Sequence, residues 1–256
     1  MFNLFIVDPQ NDFCSPMGSL YVPNAEKDVA KISDLINEVG ENINNIYISM
    51  DMHNILNIWN KEFWIDECNY KHPQEFTTIT LQDVLEEKWK VINSDYKNKC
   101  IESLSINDIT IWSRHCEIGT WGNSIFEPLY NALYKWTEIR KKNIIYLFKG
   151  QNHFQEQYSA FGKTGGVLTT QNENIITSML SIPTLICGEA SSHCVLHTID
   201  DIVLQYTMHR NSKQLYPIIF LKDCSSPVYG FEYTEKQYLE YEQNNLIQID
   251  NSYNFM

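Results

Sequence analysis

Cys194 falls at the expected start of a helix, shortly after an apolar run from Thr184 to Cys187 and the turn Gly188-Glu189-Ala190. A helix N-terminus carries partial positive charge and free amide donors, which favour a thiolate and can hold an oxyanion. A cysteine that opens a Cys-Val-Leu run equally fits small core filling. Two other residues bear on the choice. Asp8 and Lys149 each end an apolar run, where a charge has to be paired or solvated. If both converge on Cys194 they supply a base and a cation to a nucleophile. If Asp8 merely caps a turn before Pro9 and Lys149 is a solvated strand end, the sulfur stays inert.

Asp51 and His53 are two residues apart, so extended backbone points both side chains the same way and lets them share one metal ion. A third ligand can come from His115, in the polar stretch Trp112-Ser113-Arg114-His115-Cys116, with Cys116 as a competing ligand and His72, before Pro73, as a turn residue or another candidate. Imidazole nitrogens with one carboxylate oxygen suit zinc, iron or manganese and leave positions for water or substrate. The spacing assigns no role to His193, next to Cys194.

The elements that must position these groups follow a βαβ rhythm. Leu4 to Val7 and Ile46 to Met50 are short apolar strands. Between them lies a helix whose apolar positions Val29, Ile32, Leu35, Ile36 and Val39 keep helical spacing, with Asn24 as its cap and Gly40 as its stop. The pattern returns with a helix over 125–138, strands Ile144 to Phe148 and Thr184 to Cys187, a helix over 192–208, a strand Ile218 to Leu221, a helix over 235–242 and an edge segment Leu246 to Ile249. Fully apolar short strands alternating with amphipathic helices predict an α/β fold: a doubly wound, mainly parallel six-stranded sheet with helices on both faces. Ligands of such sheets bind beyond the carboxyl ends of the strands, where Asp8, Asp51, Lys149 and the Gly188-Glu189-Ala190 turn all fall. Residues 54–111 interrupt the rhythm. They are too long for a bare loop, with a possible strand over 76–81 and a helix beginning in 83–91 after Thr80 or Gln82, and are expected to be an insertion into a single domain spanning 1–256.

Composition narrows the function. The 256 residues carry 19 basic and 32 acidic side chains, a net charge of -13, and no basic patch, so neither nucleic acid nor an anionic membrane is an expected partner. No apolar run reaches membrane-spanning length. Seven scattered cysteines without a Cys-x-x-Cys pair do not form a disulfide framework, and a reducing cytoplasm is the expected location.

Together these residues resemble the isochorismatase-like cysteine hydrolases, and among them the nicotinamidases. The matching pieces are Asp8-Pro9-Gln10-Asn11-Asp12-Phe13 with Gly18-Ser19-Leu20, Asp51-Met52-His53, Trp112 to Thr120 around His115-Cys116, Lys149-Gly150 followed by Tyr158-Ser159-Ala160-Phe161, and Cys187-Gly188-Glu189-Ala190 leading to His193-Cys194-Val195, in the family's order. The resemblance implies Cys194 as nucleophile, Asp8 as its proton acceptor and Lys149 as the cation of the triad. It also implies the backbone amides of Ala190 and Cys194 as the oxyanion hole and a cis Glu189-Ala190 bond. Asp51, His53 and His115 would hold one divalent ion, zinc first, with iron or manganese possible, and Phe13, Trp112 and Tyr158 would contact the substrate ring. The implied activity is hydrolysis of nicotinamide to nicotinate and ammonia through a thioester, in NAD salvage, by a chain that can form homo-oligomers. Asp8 would take the thiol proton, and a water activated by Asp8 or the metal would release the acid. Ser113 and Asn54 stand where the family commonly has proline, and Ser192-His193 replace a common Asp-Tyr, so a different small amide or ester is the alternative substrate. A non-catalytic binding or thiol-sensing protein is the third reading.

Overall fold

The computed structural model describes residues 1–68, 70–162, 168–211 and 214–256. The chain opens with strand β1 (Phe2–Val7), a one-turn helix α1 (Asn11–Cys14), helix α2 (Ala25–Val39) and strand β2 (Ile43–Asp51). A stretch of small elements follows: β3 (Trp64–Asp66), β4 (Thr78–Ile79), α3 (Leu81–Leu85), β5 (Trp89–Val91), α4 (Lys97–Leu104) and β6 (Ile109–Thr110). The alternation then resumes with α5 (Glu127–Arg140), β7 (Ile145–Lys149), α6 (Thr170–Met179), β8 (Thr184–Gly188), α7 (Cys194–His209), β9 (Ile218–Leu221), α8 (Glu235–Gln243) and β10 (Ile247–Asp250).

Six strands form one sheet in the order β10-β9-β8-β1-β2-β7, and every neighbouring pair is parallel. This is the expected α/β fold, with the 246–249 segment as the outermost strand on one side. Successive residues of β1 serve opposite faces. Leu4 and Ile6 pack with Val29, Ile32 and Leu35 of α2 and Leu133 and Trp136 of α5, whereas Phe5 and Val7 pack with Met179 of α6, Val195, Ile199 and Ile202 of α7 and Tyr238 of α8. That two-sided burial is why the strand is apolar without a break from Leu4 to Val7.

The structure departs from several expectations. Strand β7 is an edge strand, so Tyr146 and Phe148 are exposed on it rather than covered. Asn24 does precede α2, but it adopts a left-handed conformation (φ 75°) and its side chain caps nothing; Gly40 is right-handed (φ −55°) and continues into a short 3-10 turn. The helix expected within 83–91 is five residues long: Thr80 caps it through a reciprocal bond with Asp83, and Glu87 at φ 62° ends it, after which Trp89–Val91 pairs antiparallel with β3. Residues 54–111 also bring β4 and β6 together, and they bury their own cluster around Ile58, Trp59, Phe63, Trp64, Val84 and Leu104, reached by Trp112 and Phe154 from outside the segment.

No helix among the described residues is long and apolar enough to cross a membrane, and all seven cysteines are free.

Candidate active site

β1, β2 and β7 are adjacent in the sheet, and each delivers a charged residue at its carboxyl end. In-register pairing sets Asp51 opposite Lys149. Asp8 follows β1 directly in the left-handed region, at φ 44°. Its Oδ1 accepts the Ser49 hydroxyl at 2.6 Å, and its Oδ2 lies 2.9 Å from Lys149 Nζ. Lys149 Nζ is 3.4 Å from Cys194 Sγ and 3.1 Å from Asp51 Oδ1. The lysine is 1% exposed, which removes the solvated-strand-end alternative. Cys194 is the first residue of α7, also buried, and its sulfur lies within 4.8 Å of a carboxylate oxygen of Asp8. The expected nucleophile, base and cation therefore meet in one place.

Their electrostatics are mutually dependent. Burial works against the Lys149 ammonium, yet Asp51, Asp8 and Cys194 outweigh it and hold the lysine well above its ordinary pKa, so it stays charged. Burial raises the Asp8 carboxyl, partly offset by Lys149. Burial also raises the Cys194 thiol well above its ordinary value, opposed by Lys149 and reinforced by the negative charge of Asp8. In the resting site the proton thus stays on sulfur beside an acceptor whose own proton affinity is increased, an arrangement suited to transfer when substrate arrives.

The bond between Glu189 and Ala190 is cis, as the resemblance implies. The Ala190 carbonyl accepts the N–H groups of His193 and Val195. Among the described residues, no protein acceptor takes the N–H of Ala190 or Cys194, which leaves two donors next to the sulfur. Gly188 must be glycine: at φ 110° it passes so near β1 that a Cβ would sit 2.2 Å from the Val7 carbonyl oxygen.

Asp51, His53 and His115 bring one ligand atom each within 4.8 Å of one another. Asp51 Oδ2 is 2.9 Å from His53 Nε2 and 3.8 Å from His115 Nε2. Each imidazole turns its other nitrogen to a backbone carbonyl, His53 Nδ1 to Gly150 at 3.2 Å and His115 Nδ1 to Ser113 at 2.7 Å. Donation from Nδ1 places the Nε2 lone pairs opposite the carboxylate oxygen, a meeting of acceptors that a cation between them relieves. Gly150 keeps the space open, since a Cβ there would lie 2.4 Å from Asp51 Oδ1 and 2.6 Å from His53 Cε1. The donor set, its backing carbonyls and the gap all fit a divalent ion. Cys116 lies outside this cluster, with its sulfur facing the Gly122 carbonyl, and His72 binds the Trp64 carbonyl at 2.7 Å.

The opening motif explains how these ligands are held. Gln10 brackets Asp51, donating to its carbonyl and accepting its N–H, both at 2.7 Å. Asp12 accepts the Cys116 N–H at 2.7 Å and the Ser19 N–H at 3.0 Å, fixing the turn after His115. Asn123 donates to the carbonyls of Asp51 and Cys116.

One cavity joins the two clusters, and Phe13, Trp112 and Tyr158 all line it beside Asp51, His53, His115, Ala190 and Cys194. His193 lines it too, packed edge-on to Trp112 and Phe231. Burial lowers the His193 imidazole to about 4, so the ring is neutral. Sequence inspection missed Leu20, Val22, Trp59, Glu156, Gln157 and Val228, which complete the wall. Glu156 is the chemically significant omission. Its carboxyl accepts the Trp112 Nε1–H, which also reaches the Tyr158 hydroxyl oxygen at 3.2 Å, and burial raises the carboxyl to about 7. Its position two residues before Tyr158 was the available signal.

No family model matches the sequence. A curated relative, the nicotinamidase of Saccharomyces cerevisiae, is 26% identical over 198 residues, covering 77% of this chain and 79% of the relative. The structure of the yeast nicotinamidase bound to the inhibitor nicotinaldehyde superposes with a TM-score of 0.68 at 22% identity, over 98% of this chain and all of that one. A nicotinamidase/pyrazinamidase from Acinetobacter baumanii gives 0.66 at 20% identity, covering 99% and 97% of the two chains. Pyrazinamidase of Pyrococcus horikoshii in complex with zinc gives 0.57 at 19% identity, covering 98% of each. With the parallel six-stranded sheet these likenesses identify the fold: the chain has the α/β fold seen in the nicotinamidases and pyrazinamidases.

Proposed function

We propose that the protein is a cysteine amidohydrolase that converts nicotinamide to nicotinate and ammonia, and that residues 1–256 act as one catalytic unit carrying 54–111 as an insertion. The observation that carries this reading is the position of Lys149 Nζ, within 3.4 Å of Cys194 Sγ, 2.9 Å of Asp8 Oδ2 and 3.1 Å of the Asp51 carboxylate. Asp8 takes the proton from Cys194, and the thiolate attacks the carboxamide carbon. The amides of Ala190 and Cys194 hold the oxyanion while Asp8, now neutral, keeps the proton and the Lys149 ammonium offsets the charge that has passed to the substrate. Asp8 returns the proton to the amide nitrogen, the C–N bond breaks and ammonia leaves a thioester. Asp8 then accepts a proton from water, the resulting hydroxide adds to the thioester carbon and the C–S bond breaks, the Asp8 proton goes back to sulfur, and the carboxylic acid departs as its anion with its own proton passing to solvent.

Asp51, His53 and His115 would hold a divalent ion, for which zinc is the first candidate. Bound there, it would supply a Lewis-acidic anchor for a ring nitrogen. Phe13, Trp112 and Tyr158 flank the ring and exclude water, which fixes the carboxamide over the sulfur. Seven free cysteines fit a reducing cytoplasm, and the product chemistry fits pyridine-nucleotide salvage.

The test is ammonia release from nicotinamide by the purified, reduced, metal-supplemented protein. Activity that Cys194→Ala abolishes supports the reading, and activity that survives this substitution overturns the mechanism. His193 and Glu156 in the wall favour a second reading, in which the preferred substrate is another small amide. A panel of aromatic and aliphatic amides ranked by kcat/KM decides between them.

A further inference from the structure

Glu189, directly before Ala190, is 0% exposed and does not line the cavity. Its Oε2 accepts the Ser226 N–H at 3.3 Å, whereas no donor reaches Oε1. Asp28 of α2, 5% exposed, accepts the Ser226 hydroxyl at 2.5 Å and lies 3.8 Å from Lys31 Nζ. The two buried carboxyls thus converge on one residue, Glu189 on the Ser226 N–H and Asp28 on its hydroxyl. Two ionised carboxylates brought together there would repel, with Lys31 as the cation beside Asp28 and no donor for Glu189 Oε1, which favours a proton on one of them.

Ser226, held by both acids, belongs to the segment that is laced to the cysteine turn. The Ser226 carbonyl accepts the Ser191 N–H at 2.8 Å, the Ser225 hydroxyl donates to the Gly188 carbonyl at 2.6 Å, and the Val228 N–H donates to Ser192 Oγ at 3.0 Å. The backbone that presents Ala190 and Cys194 thus rests on residues 225–228, and the acid pair anchors that segment to α2.

We infer that Glu189 carries a proton shared with Asp28, and that this buried acid pair is a positioning device setting the Ala190 and Cys194 amides at the sulfur. The role as oxyanion donors rests on the hydrolysis proposed above; the shared proton does not. Burial, then the charge of Asp28, holds the Glu189 carboxyl well above the usual range, with the Ser226 N–H opposing. The other titratable groups facing the pair are Glu26 and Lys31 of α2, Tyr21 before it, Cys14 of α1, Cys187 of β8, Asp223 and Cys224 after β9, and Tyr238 of α8. Lys31 is the single cation among them, so the surroundings favour retention of the proton. When it is lost at high pH, two adjacent buried charges repel across Ser226 and the turn loses its register.

The experiment compares the full chain with Glu189→Gln and Glu189→Ala. Infrared difference spectra of wild type against Glu189→Gln at pH 7 should contain a protonated-carboxyl band that disappears on alkaline titration; a wild type without it overturns the proposal. With nicotinamide, Glu189→Ala should lower kcat about 30- to 100-fold with KM changed less than about threefold. Glu189→Gln should stay within about threefold of wild-type kcat and lack the part of the alkaline decline due to Glu189. Wild-type kcat in Glu189→Ala, or identical alkaline profiles in wild type and Glu189→Gln, overturns the positioning role. Should Glu189→Ala fail to fold, the Glu189→Gln profile and the infrared band still decide. A wild type that hydrolyses no nicotinamide defeats the proposed function, while the infrared band independently tests the acid pair.

Discussion

Lys149 Nζ lies 3.1 Å from Asp51 Oδ1, so one buried ammonium links the Asp8–Cys194 pair to the two-histidine, one-carboxylate cluster. Neither cluster is electrostatically independent, because the cation that balances Asp8 also balances Asp51.

Removing that cation should therefore harm the fold as well as the chemistry. Lys149→Met keeps the length and apolar stem but leaves two buried carboxylates without their shared partner, at an expected cost of about 3–5 kcal/mol. Urea denaturation near neutral pH should show the loss together with abolished ammonia release. A variant as stable as wild type would mean that the carboxylates are compensated by something other than Lys149.

The metal cluster makes a separate demand. His53→Ala removes one nitrogen ligand and the ring held against the Gly150 carbonyl. Metal content by mass spectrometry should fall at least about tenfold, and activity with it. Chelation of wild type should lower activity likewise, with recovery on adding back zinc, iron or manganese, the ions this donor set accepts. Equal metal content in wild type and His53→Ala would remove these residues as the binding site.

Glu156 is the wall residue whose partners are most exacting. In Glu156→Leu, the Trp112 N–H loses its carboxylate acceptor within the wall, which should cost about 1–3 kcal/mol and raise KM. Glu156→Gln retains an acceptor oxygen and should recover most of the stability. Thermal denaturation and KM for nicotinamide check both, and matching behaviour of the two variants would show that hydrogen bonding is not what Glu156 contributes.

The sheet was legible because β1 is apolar from Leu4 to Val7 and closes on Asp8, a pattern that a strand buried on both faces imposes. The metal-ligand set was partly legible from the two-residue spacing of Asp51 and His53, but the spacing could not exclude Cys116, whose direction depends on the turn that Asp12 holds from over a hundred residues away. Helix α6 escaped notice because its sequence, TQNENIITSM, has few apolar positions, although Thr169 caps it by accepting the Asn172 N–H. Glu156 and Val228 reach the cavity only through tertiary packing. The exposure of Tyr146 and Phe148 was hidden for the same reason: an apolar run does not reveal whether its strand lies inside the sheet or at its edge.

His193 should make stability depend on mildly acidic pH. Burial lowers its imidazole to about 4 from the ordinary 6.5, with His197 adding a smaller push in the same direction. Its Nδ1 lies 2.8 Å from the Ser192 hydroxyl, whose oxygen accepts the Val228 N–H, so the hydroxyl proton goes to Nδ1 and the neutral ring keeps its proton on Nε2. Between pH 6.5 and 4 the unfolded chain binds a proton that the folded chain refuses, so stability falls as pH falls through that window and is unaffected by this group above it. The full effect is about 3 kcal/mol, from the size of the shift. His193→Gln should flatten this component, so the urea stability difference between wild type and variant should be constant above pH 7 and move against wild type as the pH drops to 4. A difference independent of pH across the window would mean that the folded protein accepts the His193 proton as readily as the unfolded chain does.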